Sequence, residues 1–132
     1  MFVRKSLILA VVMLAGLVCV FAADITGTWT TEFDSQVGKQ KYTFEFKADG
    51  ATLTGMAISK IEDADGKAVN EAKTAITEGK VEADNVSFVE NLSYQGMELR
   101  IAYKGKVAGD EIQLSRMVGE QEGEKFVAKR AK

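Results

Sequence analysis

From Ile25 onward this chain alternates apolar and polar residues with a period of two, and that alternation limits what it can fold into. Tyr42, Phe44 and Phe46 alternate with Lys41, Thr43, Glu45 and Lys47. Met97, Leu99, Ile101 and Tyr103 alternate with Glu98, Arg100, Ala102 and Lys104, and Phe126 and Ala128 with Lys125, Val127 and Lys129. Successive side chains of a strand point to opposite faces, so this is the pattern of strands buried on one face and wet on the other. No window beyond the N-terminal segment has helical spacing. The pattern predicts eight strands, at about 25–34, 38–48, 51–61, 71–82, 86–94, 97–108, 111–118 and 124–131.

The breaks between these runs carry turn chemistry. Asp49-Gly50, Gln95-Gly96 and Gly109-Asp110 each separate two alternating runs, and Ala83-Asp84 is a weaker version. Two-residue hairpin loops need positive φ, which Gly, Asn and Asp tolerate best. Such loops also set register. With Asp49-Gly50 as the loop, Phe46 faces Leu53, Phe44 faces Gly55 and Tyr42 faces Ala57. Gln95-Gly96 sets Leu92 against Leu99 and Phe88 against Tyr103, and Gly109-Asp110 sets Val107 against Ile112 and Gly105 against Leu114. Apolar meets apolar throughout, as a one-sided sheet requires.

A weak repeat supports an up-and-down order. The segment 79–88, Gly-Lys-Val-Glu-Ala-Asp-Asn-Val-Ser-Phe, aligns with 105–114, Gly-Lys-Val-Ala-Gly-Asp-Glu-Ile-Gln-Leu. Gly79 then falls opposite Phe88 as Gly105 falls opposite Leu114, and a glycine beneath a large side chain lets a strand bend. An eight-stranded meander left flat would expose two edges, whereas closing it into a barrel removes them. The expected fold is therefore all-β, an eight-stranded antiparallel up-and-down barrel. The stretch 62–70, with Asp65-Gly66 inside it, is expected as its one long surface loop, without a domain boundary.

The segment before Ile25 reads differently. Arg4 and Lys5 precede the apolar run Leu7 to Phe21, and small residues Ala22 and Ala23 follow before Asp24. This is the order of a secretory signal peptide, with cleavage expected after Ala22. An uncleaved membrane anchor needs roughly 20 apolar residues, more than this run supplies. A lipid-anchored form cut before Cys19 wants a small residue where Val18 stands. The chain divides as signal peptide 1–22 and a single β-barrel domain 23–132, with a periplasmic or extracellular destination.

Losing Arg4 and Lys5 leaves 15 basic residues (17 minus 2) against 19 acidic ones, a net charge of about −4. That disfavours nucleic acid and anionic membrane as partners, since both are bound through clustered positive charge. Residues 23–132 contain no Cys and no His. No imidazole base, thiol nucleophile or soft metal site is available, so neither enzymatic activity nor a cofactor or metal is expected. The carboxylate pairs Glu62-Asp63 and Glu120 with Glu122 are expected in solvated loops.

Gly27-Thr28-Trp29 opens the first strand and Arg130 ends the last. In this the chain resembles the lipocalin and avidin group of up-and-down barrels, in which a Gly-x-Trp closes the barrel floor and a basic residue from the last strand stacks on the tryptophan. It departs from that group in having one tryptophan, no lipocalin cysteine pair and no C-terminal helix. It also resembles small exported bacterial modules of unassigned function, through Ile25-Thr26-Gly27-Thr28-Trp29, the segment Lys47 to Gly55, and Phe126 to Arg130. Such modules stand alone or accompany exported sugar-acting enzymes. The resemblance implies structural roles for Gly27, Trp29 and Arg130.

The residues that break the pattern are the candidate site. Glu90 shares the inward phase of Val86 and Phe88, and Arg116 that of Ile112 and Leu114. The hairpin registers set Arg116 opposite Tyr103, and Glu90 opposite Ile101 one row along. Tyr42, inward on its own strand, joins Glu90, Tyr103 and Arg116 as a candidate ligand-binding residue. A buried charge must be paired, so these side chains pair with one another, serve a ligand, or reach water at strand ends. The expected function is a small exported binding barrel for an apolar, amphipathic or sugar ligand. The alternative is a structural or protein-interaction module whose barrel is filled, presenting its surface to a protein partner.

Overall fold

The computed structural model describes residues 24–131; the expected signal peptide lies outside them. Nine strands follow one another: β1 (Gly27–Ser35), β2 (Gly38–Asp49), β3 (Thr52–Glu62), β4 (Ala68–Ala75), β5 (Thr77–Glu82), β6 (Asn85–Tyr94), β7 (Met97–Ala108), β8 (Glu111–Val118) and β9 (Gln121–Arg130). Each pairs antiparallel with its neighbours, β2 also pairs with β3, and β9 returns to β1, so the sheet closes into an all-β barrel. This architecture is compatible with a lipocalin-like barrel.

The ninth strand arises because the expected strand 71–82 is broken. Ile76 turns inward between β4 and β5, its N–H donating to Gly55 O at 3.0 Å. Glu78 then takes a left-handed φ of 53°. The next residue must be glycine, since a Cβ at Gly79 would lie 2.0 Å from Leu53 O. Gly79 keeps its expected place in the stretch of β5 that faces Phe88, next to the pair Lys80–Ser87, and it also lies tight against Leu53 of β3, while Gly105 lies beneath Leu114. Beyond the break β4 pairs only with β3, while β5 carries the ladder to β6.

Two hairpins keep the expected register, with Leu92 opposite Leu99 and Val107 opposite Ile112. The β2–β3 hairpin does not. Asp49 pairs with Thr52, so Gly50-Ala51 forms the loop, with Gly50 at φ 60° in its first central position. Phe46 consequently faces Gly55 and Tyr42 faces Ser59. The expected long loop also shrinks. Glu62 ends β3, buried, with ion pairs to Lys41 at 3.2 Å and Lys60 at 3.5 Å. Asp63 Oδ1 accepts from the N–H groups of Asp65 and Lys67, closing a tight turn.

The barrel has unlike ends. At one end Ile25 and Trp29 are wholly buried, and Trp29 Nε1 donates to Ile25 O at 2.9 Å. The Arg130 guanidinium lies 4.4 Å above the indole, as the resemblance implied, and also donates to Thr26 O and Asp24 O. Gly27 makes room for it, since a Cβ there would come within 3.0 Å of Arg130 Nη1. Above this floor Phe44, Phe46, Phe88 and Tyr103 pack edge-on and stacked, with centroids 4.6–5.7 Å apart.

Candidate functional site

Three rows up from the floor, the interior changes character. Tyr42 on β2, Glu90 on β6 and Tyr103 on β7 all point inward, because each sits in the buried phase of its strand. Tyr103 Oη donates to Glu90 Oε1 at 2.7 Å, and Tyr42 Oη lies 2.9 Å from the same oxygen and 3.2 Å from Oε2. Glu90 is 0% exposed. Burial pushes its carboxyl above the ordinary value, and the two hydroxyls and the nearby charge of Arg116 only partly offset that. Burial likewise raises both tyrosine hydroxyls, so they remain donors at physiological pH.

Arg116 stands opposite Tyr103, as expected, yet it does not form an ion pair with Glu90. Its Nε donates to Glu124 Oε1 at 2.8 Å, and its guanidinium lies 4.7 Å above the Phe33 ring. The local fold explains the switch. The β8–β9 ladder is irregular at Arg116, where Gly123 and Glu124 oppose a single residue. Such a bulge re-aims side chains, and a Cβ on Gly123 would sit 3.2 Å from Arg116 Cγ. Arg116 therefore turns toward the second end of the barrel, leaving the tyrosines as Glu90's partners.

That second end is open. A cleft of about 230 Å³ lies between the β1–β2 turn, the ends of β3, β6 and β8, and the starts of β7 and β9. Its walls are Ile61, Leu92, Leu99, Ile101 and Val118, and its rim carries Gln36, Val37, Gln121 and Glu122. Gln40 and Arg116, 3% and 5% exposed, are its buried polar members. Glu90, Tyr42 and Tyr103 do not line it; they form a sealed polar layer between cleft and aromatic floor. Of the four candidate ligand-binding residues, only Arg116 lines the open space.

Phe33, Gln40 and Glu124 were not among the residues singled out from sequence. Gln40 had a legible signal, since it shares the inward phase of Tyr42, Phe44 and Phe46. Glu122, expected in a solvated loop, belongs to β9 and to the cleft rim. No protein-family model, curated protein or solved structure matches this chain. The geometry of the barrel carries the functional argument.

Proposed function

We propose that this protein is a small, exported, non-enzymatic binding barrel whose ligand occupies the open-end cleft. The observation that supports it is the division of the interior. Aromatic side chains fill the closed end, while the open end keeps a cleft of about 230 Å³ with apolar walls and buried polar groups. Pockets for drug-sized molecules run to roughly 300–1,000 Å³, so the ligand is smaller, with an apolar body and a polar head. The non-enzymatic reading rests on the lack of His and Cys in residues 23–132 and on the sealing of Glu90 from solvent. Export rests on Arg4, Lys5 and the run Leu7 to Phe21; mass spectrometry of protein recovered outside the cytoplasm should find Ala23 at its N-terminus. Kinship with lipocalins and avidins rests on Gly27-Thr28-Trp29 and the Arg130 stack.

Small amphipathic compounds titrated against the protein should shift the NMR resonances of Leu92, Leu99 and Ile101. Leu99→Trp, which places an indole in the cleft, should weaken that binding at least about tenfold, or ~1.4 kcal/mol. The filled closed end, with Val37 and Met97 exposed beside the mouth, favours a second reading, a module that presents its rim to another protein. Saturable shifts confined to the rim and unaffected by Leu99→Trp would support that reading instead.

A further inference from the structure

We infer that the cleft selects uncharged ligands whose head group offers both a hydrogen-bond acceptor and a donor, as a primary carboxamide does, because its two buried polar side chains each retain one unsatisfied atom of opposite kind. This rests on the proposed binding role and specifies the chemistry of the same site.

Arg116 supplies the donor. Its Nε is committed to Glu124, whereas its Nη1 is buried with no hydrogen-bond partner among the described residues. Gln40 supplies the acceptor. Ser35 Oγ donates its proton to Gly38 O at 2.9 Å, so toward Gln40 it can only accept, and Gln40 Nε2 donates to it at 2.8 Å. That orients the amide and leaves Gln40 Oε1 as the buried, unpartnered atom. Both side chains line one cleft with apolar walls. A buried polar atom left unpaired is costly, so a ligand that satisfies both gains twice.

Charge excludes the alternatives. The cleft holds one cation, Arg116, and two anions, Glu122 and Glu124. Glu124 already neutralises the guanidinium, so a carboxylate meets a net negative lining and offers Gln40 Oε1 no proton. A cationic head supplies donors to Gln40 Oε1 but carries no acceptor, and so leaves Arg116 Nη1 unpaired.

Benzamide, benzoate and benzamidinium share one planar shape and differ only in this respect, so they form the test. Titrated against the full chain at neutral pH by NMR, benzamide should bind at least about tenfold tighter than either ion. Gln40→Leu, which removes the acceptor, should erase most of benzamide's lead over benzoate. Glu124→Gln, which frees the guanidinium's charge, should raise benzoate affinity. Tightest binding by benzoate or benzamidinium, or equal binding of all three, overturns the inference while the binding role stands. Absence of binding by all three in the cleft overturns both.

Discussion

At the closed end of the barrel the inward positions hold Ile25, Trp29, Val86, Ile112 and Ala128, all buried, and Arg130 lies over the indole with its Nε donating to Asp110 and its Nη groups to Thr26 O and Asp24 O. At the open end the equivalent inward positions hold Gln40, Arg116 and Glu124, and some of their polar atoms lack protein partners. The same strands thus run from an interior that gains from burial to one that sacrifices part of that gain. Departures from apolar filling concentrate where a site is wanted. The closed end anchors the fold, and the open end is free to specialise.

The sharpest way to break this comparison is Trp29→Ala. It empties the floor and removes the Arg130 stack, and should cost about 3–5 kcal/mol, read as a lower urea midpoint. Benzamide binding at the mouth should be unchanged wherever the variant remains folded. A loss below about 1 kcal/mol would mean that the closed end is not the anchor.

The layer between the two ends gives an intermediate effect. Tyr103→Phe removes one of the two hydroxyls held by Glu90 and should cost about 1–3 kcal/mol. It also has a pH signature. The folded-state value of Glu90 is raised, whereas in the unfolded chain a Glu titrates near ~4.3. Between those two values the folded state holds the extra proton. Glu90's contribution is therefore fully present below the unfolded value and is lost as pH rises through the folded one. Glu90→Gln should flatten that decline in urea titrations across pH, and Tyr103→Phe should carry it to higher pH. A wild-type profile that rises through this window and is unaltered by Glu90→Gln would reverse the assignment.

The smallest effect belongs to the open end. Arg116→Met should cost about 1–2 kcal/mol, because Glu124 regains water and Glu90 keeps both tyrosines. A loss of about 3–5 kcal/mol, the cost of breaking a buried ion pair, would show Arg116 and Glu90 acting as one unit.

The strands and most hairpins were legible because alternation and turn chemistry are local. The β2–β3 register was not, for a geometric reason. A slip of two residues restores every side chain to its original face, so matching Phe46 to Leu53 or to Gly55 satisfies the same apolar test. The break at Ile76 was hidden because it shows only in the pairing of β3, which passes from β4 to β5 there, and no local pattern records that change. Glu90 and Tyr103 were read as inward neighbours, and they meet, while the contact of Tyr42 with Glu90 was not foreseen. Arg116's partner was not, because a bulge at Gly123 turned the side chain away from the position that regular pairing implies. Sequence periodicity finds faces; bulges decide which neighbours meet.

The β1–β9 seam has a kinetic consequence. Only Trp29 and Thr30 pair with Arg130 and Lys129, helped by the hydroxyl of Thr31 donating to Val127 O. These partners come from opposite ends of the described chain, whereas the other ladders join consecutive strands, apart from the single β3–β5 bridge between Thr52 and Lys80. Hairpins form locally and early, and contacts between distant segments are made late because loop closure must come first. A contact made late acts mainly on the unfolding rate, so weakening Arg130 is expected to accelerate opening more than it slows folding. The stack on Trp29 is a latch on the lifetime of the closed state, and while it is open the bare edges of β1 and β9 are the ones another chain can capture.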